Sequence, residues 1–421
     1  MAVIKKLVLQ KSCEQGGSMQ FTTYGRHFFT SVKVANMSLD RLSQTFHWNF
    51  FFLRIFGVWP GKKPSRFYKL YSVIILTLTL GIYNTLLTIN LLYTPRKIEF
   101  LVQELIFYFT EIGITWKGLT MIVQSENVIE ILDILDSEGF AGEDDNTRDI
   151  IEKNKHLFIV YRKFFSIFSN LAYWFLVIVP LVLCFVFIKD IDLPICRYYF
   201  LSVEFRSKYF FHLYAYQAFG MFVGMMINVF VDSLIPGLIF MAITQLKALN
   251  YSLQNLRVEN KDKNKSNKDK EEIELNKLTK CLKHYEEILR YCNKVQSLFS
   301  WLMLIQFGIS SSVICIMLSS IIFGMSEQFI IFTVFYTSAI VMEIFAPSYM
   351  GSQVTYESTR LSHAAYCSAW CDRSPRYKGH LMLFLERTKR PISISALGLF
   401  PLSLQSFTSF LRQEDTHAIA V

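Results

Sequence analysis

Leu70-Tyr71-Ser72-Val73-Ile74-Ile75-Leu76-Thr77-Leu78-Thr79-Leu80-Gly81-Ile82-Tyr83-Asn84-Thr85-Leu86-Leu87-Thr88-Ile89-Asn90-Leu91-Leu92 runs without one charged side chain. A helix needs about 20 mostly apolar residues to cross the hydrocarbon core of a bilayer, and this stretch meets that length. Six more apolar stretches follow it. Residues 100–123 carry Glu104, Glu111 and Lys117; 164–188 are uncharged and contain Pro180; 209–243 hold Asp232 and Pro236. The last three are 295–323, 329–350 with Glu343 and Pro347, and 391–411. Composition points the same way: 52% of the 421 residues are hydrophobic and 18% charged, with 39 Phe and a mean hydropathy of +0.31. Soluble domains carry about 25% charge. The expected fold class is all-α, a polytopic membrane protein with seven transmembrane helices.

The segments between spans set the organisation. Residues 1–69 form an amino-terminal segment. Within it Leu39, Leu42, Phe46, Phe50 and Leu53 recur at helical spacing, flanked by Trp48 and Trp59. That pattern predicts an interfacial helix ended by Gly57 and Pro60. Residues 70–350 hold the first six spans, with an acidic loop at 124–163 and a long connection at 244–294. A low-complexity Lys/Asn/Asp run near Lys261 reads as a solvated insertion. After it Leu275, Leu278, Leu282, Tyr285, Leu289 and Cys292 make a helical stripe leading into the fifth span. Residues 351–390 form a basic segment, and 391–421 a short last helix and tail.

Positive charge fixes the expected orientation. Residues 1–70, 124–163, 244–294 and 353–390 hold most of the 43 Lys and Arg residues, and the alternate connections hold few. Basic residues mark the cytoplasmic side, so the amino terminus is expected inside and the carboxyl terminus outside. This is opposite to a G-protein-coupled receptor. No Asp/Glu-Arg-Tyr follows the third span, and the last span has no Asn-Pro-x-x-Tyr. The net charge of +9 is thereby assigned to topology rather than to nucleic acid. Sequons at Asn36, Asn250 and Asn264 fall in segments expected inside, so none is expected to carry glycan.

No catalytic set is visible. Gly-rich phosphate loops, His-Glu-x-x-His and nucleophile elbows are missing from the sequence, and the expectation is a non-enzyme without cofactor or metal. The eight cysteines are scattered without CxxC pairing and read as isolated thiols. Charge inside a span is costly, so Glu104, Glu111, Lys117, Asp232 and Glu343 must face protein or a water-filled interior. Glu111 and Lys117, six positions apart, are not expected to pair directly. Aromatic residues within spans supply pocket candidates: Phe107, Tyr108, Tyr173, Trp174, Tyr216, Phe219, Phe335 and Tyr336. A mostly apolar, aromatic pocket with few polar groups suits small hydrophobic, volatile ligands. Most such aromatics are equally accounted for by helix packing and interfacial anchoring.

Several stretches carry a family resemblance. One is Trp48 through Arg54, Gly57, Trp59 and Pro60. A second is Leu278-x-x-Cys281-x-x-His284-x-x-x-Ile288-Leu289, leading to Phe299-Ser300 and Gln306-Phe307. A third runs from Pro347, Tyr349 and Gly351 through Tyr356, Leu361, Tyr366 and Trp370. The last is Glu386-Arg387, Arg390-Pro391 and Phe400-Pro401-Leu402-Ser403-Leu404. Together, over residues 40–412, these resemble the insect odorant receptor family. The resemblance implies a tuning odorant receptor, one subunit of an odorant-gated nonselective cation channel. It further implies a heterotetramer with a shared coreceptor, in the plasma membrane of sensory neuron dendrites. An odorant pocket among the second to sixth helices is implied as well. So are a subunit anchor containing Leu282, Tyr285, Leu289, Tyr366 and Trp370, and a pore lined from the seventh helix by Ser403, Phe407 and Phe410. A gustatory-type chemoreceptor channel is the nearest alternative, and a G-protein-coupled seven-helix receptor the alternative from another class. Family members continue past Arg412 with more apolar residues, whereas Gln413-Glu414-Asp415 follows here. A pore helix of residues 400–411 would rise about 18 Å against a core about 30 Å thick. The expectation is a last helix too short to complete the pore.

Overall fold

The computed structural model of the protein describes residues 41–187, 192–256, 267–322, 327–368 and 370–409. Expectations for residues 1–40, for the Lys-rich run at 261–266, for Asn36 and Asn264, and for Phe410 lie outside the described residues.

A 3-10 turn, Leu42–Phe46, leads into α1, His47–Ile55. Phe46 and Leu53 face inward while Trp48 and Phe51 stay exposed, giving the amphipathic face that the spacing predicts. Next comes α2, Arg66–Tyr93, whose Ser65 side chain accepts a hydrogen bond from the Tyr68 amide at the helix start. It carries a π-helical stretch over Thr77–Ile82. Leu70, Val73 and Ile74 of α2 are about 60% exposed, which fits a surface against lipid tails. The helix α3, Ile98–Val123, follows.

Residues 124–163 are not a loop. They fold as α4, Ser125–Leu135, and as the first turns of α5, Asp145–Val186. Asp144 and Thr147 close a capping box at its start, which explains why a helix can begin inside so acidic a segment: carboxylates favour helix N-termini. The short α6, Val203–Lys208, precedes the long α7, Phe210–Gln254. Then come α8, Asn267–Ile322, and α9, Glu327–Cys367. With 56 residues, α8 is about 84 Å long and extends far beyond one bilayer thickness. The expected stripe lies on it, with Leu278, Tyr285 and Cys292 buried.

Five helices among the described residues are long and apolar enough to cross a membrane: α2, α5, α7, α8 and α9. The helix α3 has the length, with 26 residues, but spreads Glu104, Glu111 and Lys117 along it. The helix α10, Pro375–Thr388, is amphipathic and packs on α8 and α9. Residues 391–403 are not helical as the sequence suggests. Ser395–Ala396 pairs antiparallel with Phe400–Pro401, and Leu397 and Gly398 turn through left-handed φ of 52° and 71°. Pro391 and Pro401 lack the amide that a helix interior would use. Helix resumes over residues 404–409.

The core is organised on α7, which packs against α1, α3, α5, α8 and α9. Gly237 lets the Phe46 and Phe158 rings approach its backbone, and the two rings meet at 5.3 Å. Asn49 on α1 donates to the Phe230 carbonyl at 2.9 Å and to Ser233 Oγ at 2.8 Å. Arg162 on α5 donates to the Thr45 carbonyl at 2.6 Å. Asn250, 4% exposed, donates to the Glu357 carbonyl at 3.0 Å, so a glycan has no room there. One cysteine departs from the isolated-thiol reading: Cys367 is disulfide-bonded. Cys184, Cys196, Cys281, Cys292 and Cys371 are free.

Candidate ligand cavity and buried charge cluster

A partly open cavity of about 90 Å³ lies between α3, α5, α7, α8 and α9. Ligand pockets are mostly apolar with a few placed polar groups, and this lining has that character. Three of the aromatic candidates line it: Phe107, Tyr173 and Tyr336. They come from three different helices. The Tyr336 and Thr110 hydroxyls bond at 2.6 Å across it, and the Tyr173 hydroxyl donates to the Ala218 carbonyl at 3.2 Å.

The other aromatic candidates are elsewhere. Trp174 and Phe219 are exposed at 55% and 45%, facing outward from the bundle. Tyr216 donates to the Leu78 carbonyl at 3.1 Å. Phe335 stacks on Phe175 at 5.0 Å, and Tyr108 packs against the core beside Phe109. Aromatic content alone does not tell these positions from the lining, because the helix rotation that separates them is set by packing.

Sequence reading did not place the remaining lining. Met221, Met225, Asn228 and Val229 form one face of α7, and Gln306, Ile309, Ser310 and Val313 one face of α8. The usable signal was polar residues recurring at three- and four-residue steps inside apolar spans.

Charge is gathered at this cavity. Lys117 Nζ donates to Asp232 at 2.8 Å, to Asn228 Oδ1 at 2.7 Å and to Glu343. Its three N–H donors are thereby used. Gln306 donates to Glu343 as well, and to Ser310 Oγ at 3.0 Å. The Lys117, Asp232 and Glu343 side chains are all less than one-tenth exposed. Glu104 is separate and accepts from Thr94. Glu111 lines the cavity and pairs with none of these groups; its Oε2 is buried without a hydrogen-bond partner.

The expected anchor and pore residues are also placed. Tyr285 is buried in its own chain, edge-on to Phe384 at 5.3 Å, and Leu282 and Leu289 are half-buried. Tyr366 is 51% exposed, and the Trp370 indole donates to its carbonyl at 3.1 Å. Ser403 Oγ accepts from the Ser406 amide at 3.1 Å, capping helix 404–409, and Phe407 packs on Phe345 at 5.5 Å.

Comparison with known proteins decides the family. The family model described as 7tm Odorant receptor matches residues 97–413. The chain belongs to the 7tm odorant receptor family. Among curated proteins the chain is 26% identical to Odorant receptor 2a of Drosophila melanogaster, over 47% of this chain and 51% of that one. It is 29% identical to Odorant receptor 67c of the same fly, over 40% and 41% of the two chains. These alignments therefore span about half the relatives' length or less. Odorant receptor 46a, isoform B, is 23% identical over 86% of this chain and 93% of that protein. The solved olfactory receptor OR5 of the insect Machilis hrabei, in complex with eugenol, superposes with a TM-score of 0.76 at 18% identity. That superposition covers 91% of this chain and 98% of that one. The likeness is one of fold. It agrees with a mostly helical membrane protein.

Proposed function

We propose that this receptor is the odorant-binding subunit of an odorant-gated, nonselective cation channel. In this reading it assembles with a shared coreceptor as a heterotetramer in the plasma membrane of sensory neuron dendrites. The amino terminus lies in the cytoplasm, as the placement of Lys and Arg favours. The odorant is a small, hydrophobic, volatile molecule held in the cavity of Phe107, Tyr173 and Tyr336. That cavity is the observation that carries the proposal: it has the apolar, aromatic lining with a few polar groups of a small-molecule site. Tyr366 and Trp370 belong to the subunit anchor, and the exposure of Tyr366 leaves it free for a partner. Ser403, Phe407 and Phe410 belong to the pore end.

The test is co-expression with a coreceptor subunit and recording of odorant-evoked current, with and without G-protein blockade. Eugenol, held by the Machilis receptor, is a suitable first probe within a wider odorant panel. Current that persists under blockade is expected, together with an amino-terminal tag that intact cells do not expose to antibody. Current abolished by the blockade, or a tag labelled from outside, overturns the reading.

A further inference from the structure

We propose that the cavity selects small amines: molecules with an apolar body that bring a protonated nitrogen to the Glu111 carboxylate. The inference rests on the reading of this cavity as the odorant site and narrows its ligand class.

Glu111 is 5% exposed, and its Oε2 has no hydrogen-bond partner. Buried polar groups are almost always paired, and an unpaired one carries its full desolvation penalty. An ionisable residue inside a membrane span marks function more often than packing. Several donors of the lining are committed elsewhere. Lys117 spends its protons on Asp232, Asn228 and Glu343. The Gln306 amide is taken by Glu343 and Ser310. Thr110 and Tyr336 bond to each other, and Tyr83, itself buried without a partner, makes no hydrogen bond to Glu111.

Charge points the same way. Lys117 faces two acidic side chains, and Glu111 adds a third, so acidic groups outnumber the one cation of the lining among the described residues. Such a site favours a guest that is both donor and cation. An amine can take up the proton of a buried carboxylic acid and pair with it as a cation; an alcohol supplies only a neutral donor, and a carboxylic acid adds a further acid. The rings of Phe107, Tyr173 and Tyr336 line the same space, and an ammonium group is attracted to aromatic faces. Gly224 completes the fit: a Cβ there would stand 3.1 Å from Glu111 Oε1, so glycine leaves the carboxylate its room.

Three probes with one body separate the possibilities: benzylamine, benzyl alcohol and toluene. Their binding to the purified full-length chain in lipid nanodiscs is measured by calorimetry, for wild type and for Glu111→Gln. Benzylamine is expected to bind roughly tenfold or more tighter than benzyl alcohol, as a charged hydrogen bond warrants. Glu111→Gln should bring the amine to the level of the alcohol and leave the alcohol unchanged. Binding of alcohol and toluene without an amine preference, or a preference that survives Glu111→Gln, overturns this inference and spares the odorant-site reading. If none of the three binds and the odorant panel evokes no current, the site reading falls and takes this inference with it. Should Glu111→Gln fail to fold, the wild-type order decides alone.

Discussion

The two halves of α7 have similar apolar composition and opposite surroundings. From Val229 to Leu246 every residue is buried, on all sides of the helix. From Phe210 to Asn228 buried positions alternate with half-buried and exposed ones, and Met221, Met225 and Asn228 border the cavity. The downstream half is wrapped by α1, α5, α8 and α9, with Gly237 and the Phe46–Phe158 pair as its tightest contact. The upstream half holds polar groups and empty space. One half of the helix is built for packing, then, and the other keeps room for a guest, with the charges of Lys117 and Asp232 at the boundary.

Three single substitutions and one double variant probe that contrast. The largest effect is expected at the boundary. Lys117→Met leaves Asp232 and Glu343 buried together without a cation, which should cost about 3–5 kcal/mol. A large fall in the thermal midpoint of the purified protein reads this out. The double variant Lys117→Met/Asp232→Asn should recover part of it; no recovery would mean that the cluster does not act as a unit. Next comes the packed half. Gly237→Val drives a branched side chain into the Phe46 and Phe158 rings and should cost about 1–3 kcal/mol, as overpacking does. An unchanged melting profile would show that this half is looser than its burial implies. The smallest effect is expected in the cavity. Ala339→Leu fills free space beside Ile340 and Glu343, so stability should stay within about 0.5 kcal/mol while odorant-evoked current falls. Loss of stability as large as at Gly237 would mean the cavity is packed rather than open.

Much of the fold was legible in the chain. The uncharged run at residues 70–92 falls within α2, and the stripe from Leu275 to Cys292 lies along α8. Two local readings differ. Residues 124–163 form helices, with Glu126 in the first turn of α4 and Asp144 and Asp145 at the start of α5, where the backbone dipole favours them. Residues 391–403 make a hairpin because two prolines and a left-handed turn displace the helix. Of the candidate site, Phe107, Tyr173 and Tyr336 were legible, while Trp174 and Phe219 face outward. Residue type records hydrophobicity but not rotation about the helix axis, and rotation is decided by the neighbours.

The sequence by itself determined that long apolar helices build this protein, because a bilayer admits only spans whose backbone bonds are satisfied internally. It also determined that Glu111, Lys117, Asp232 and Glu343 had to face inward, because hydrocarbon does not solvate charge. Only the tertiary structure decided who meets whom. Lys117 finds Asp232 and Glu343 from 115 and 226 positions away, and Glu111 Oε2 finds no partner among the described residues. Those pairings come from the crossing of helices remote in the chain, which no local pattern encodes.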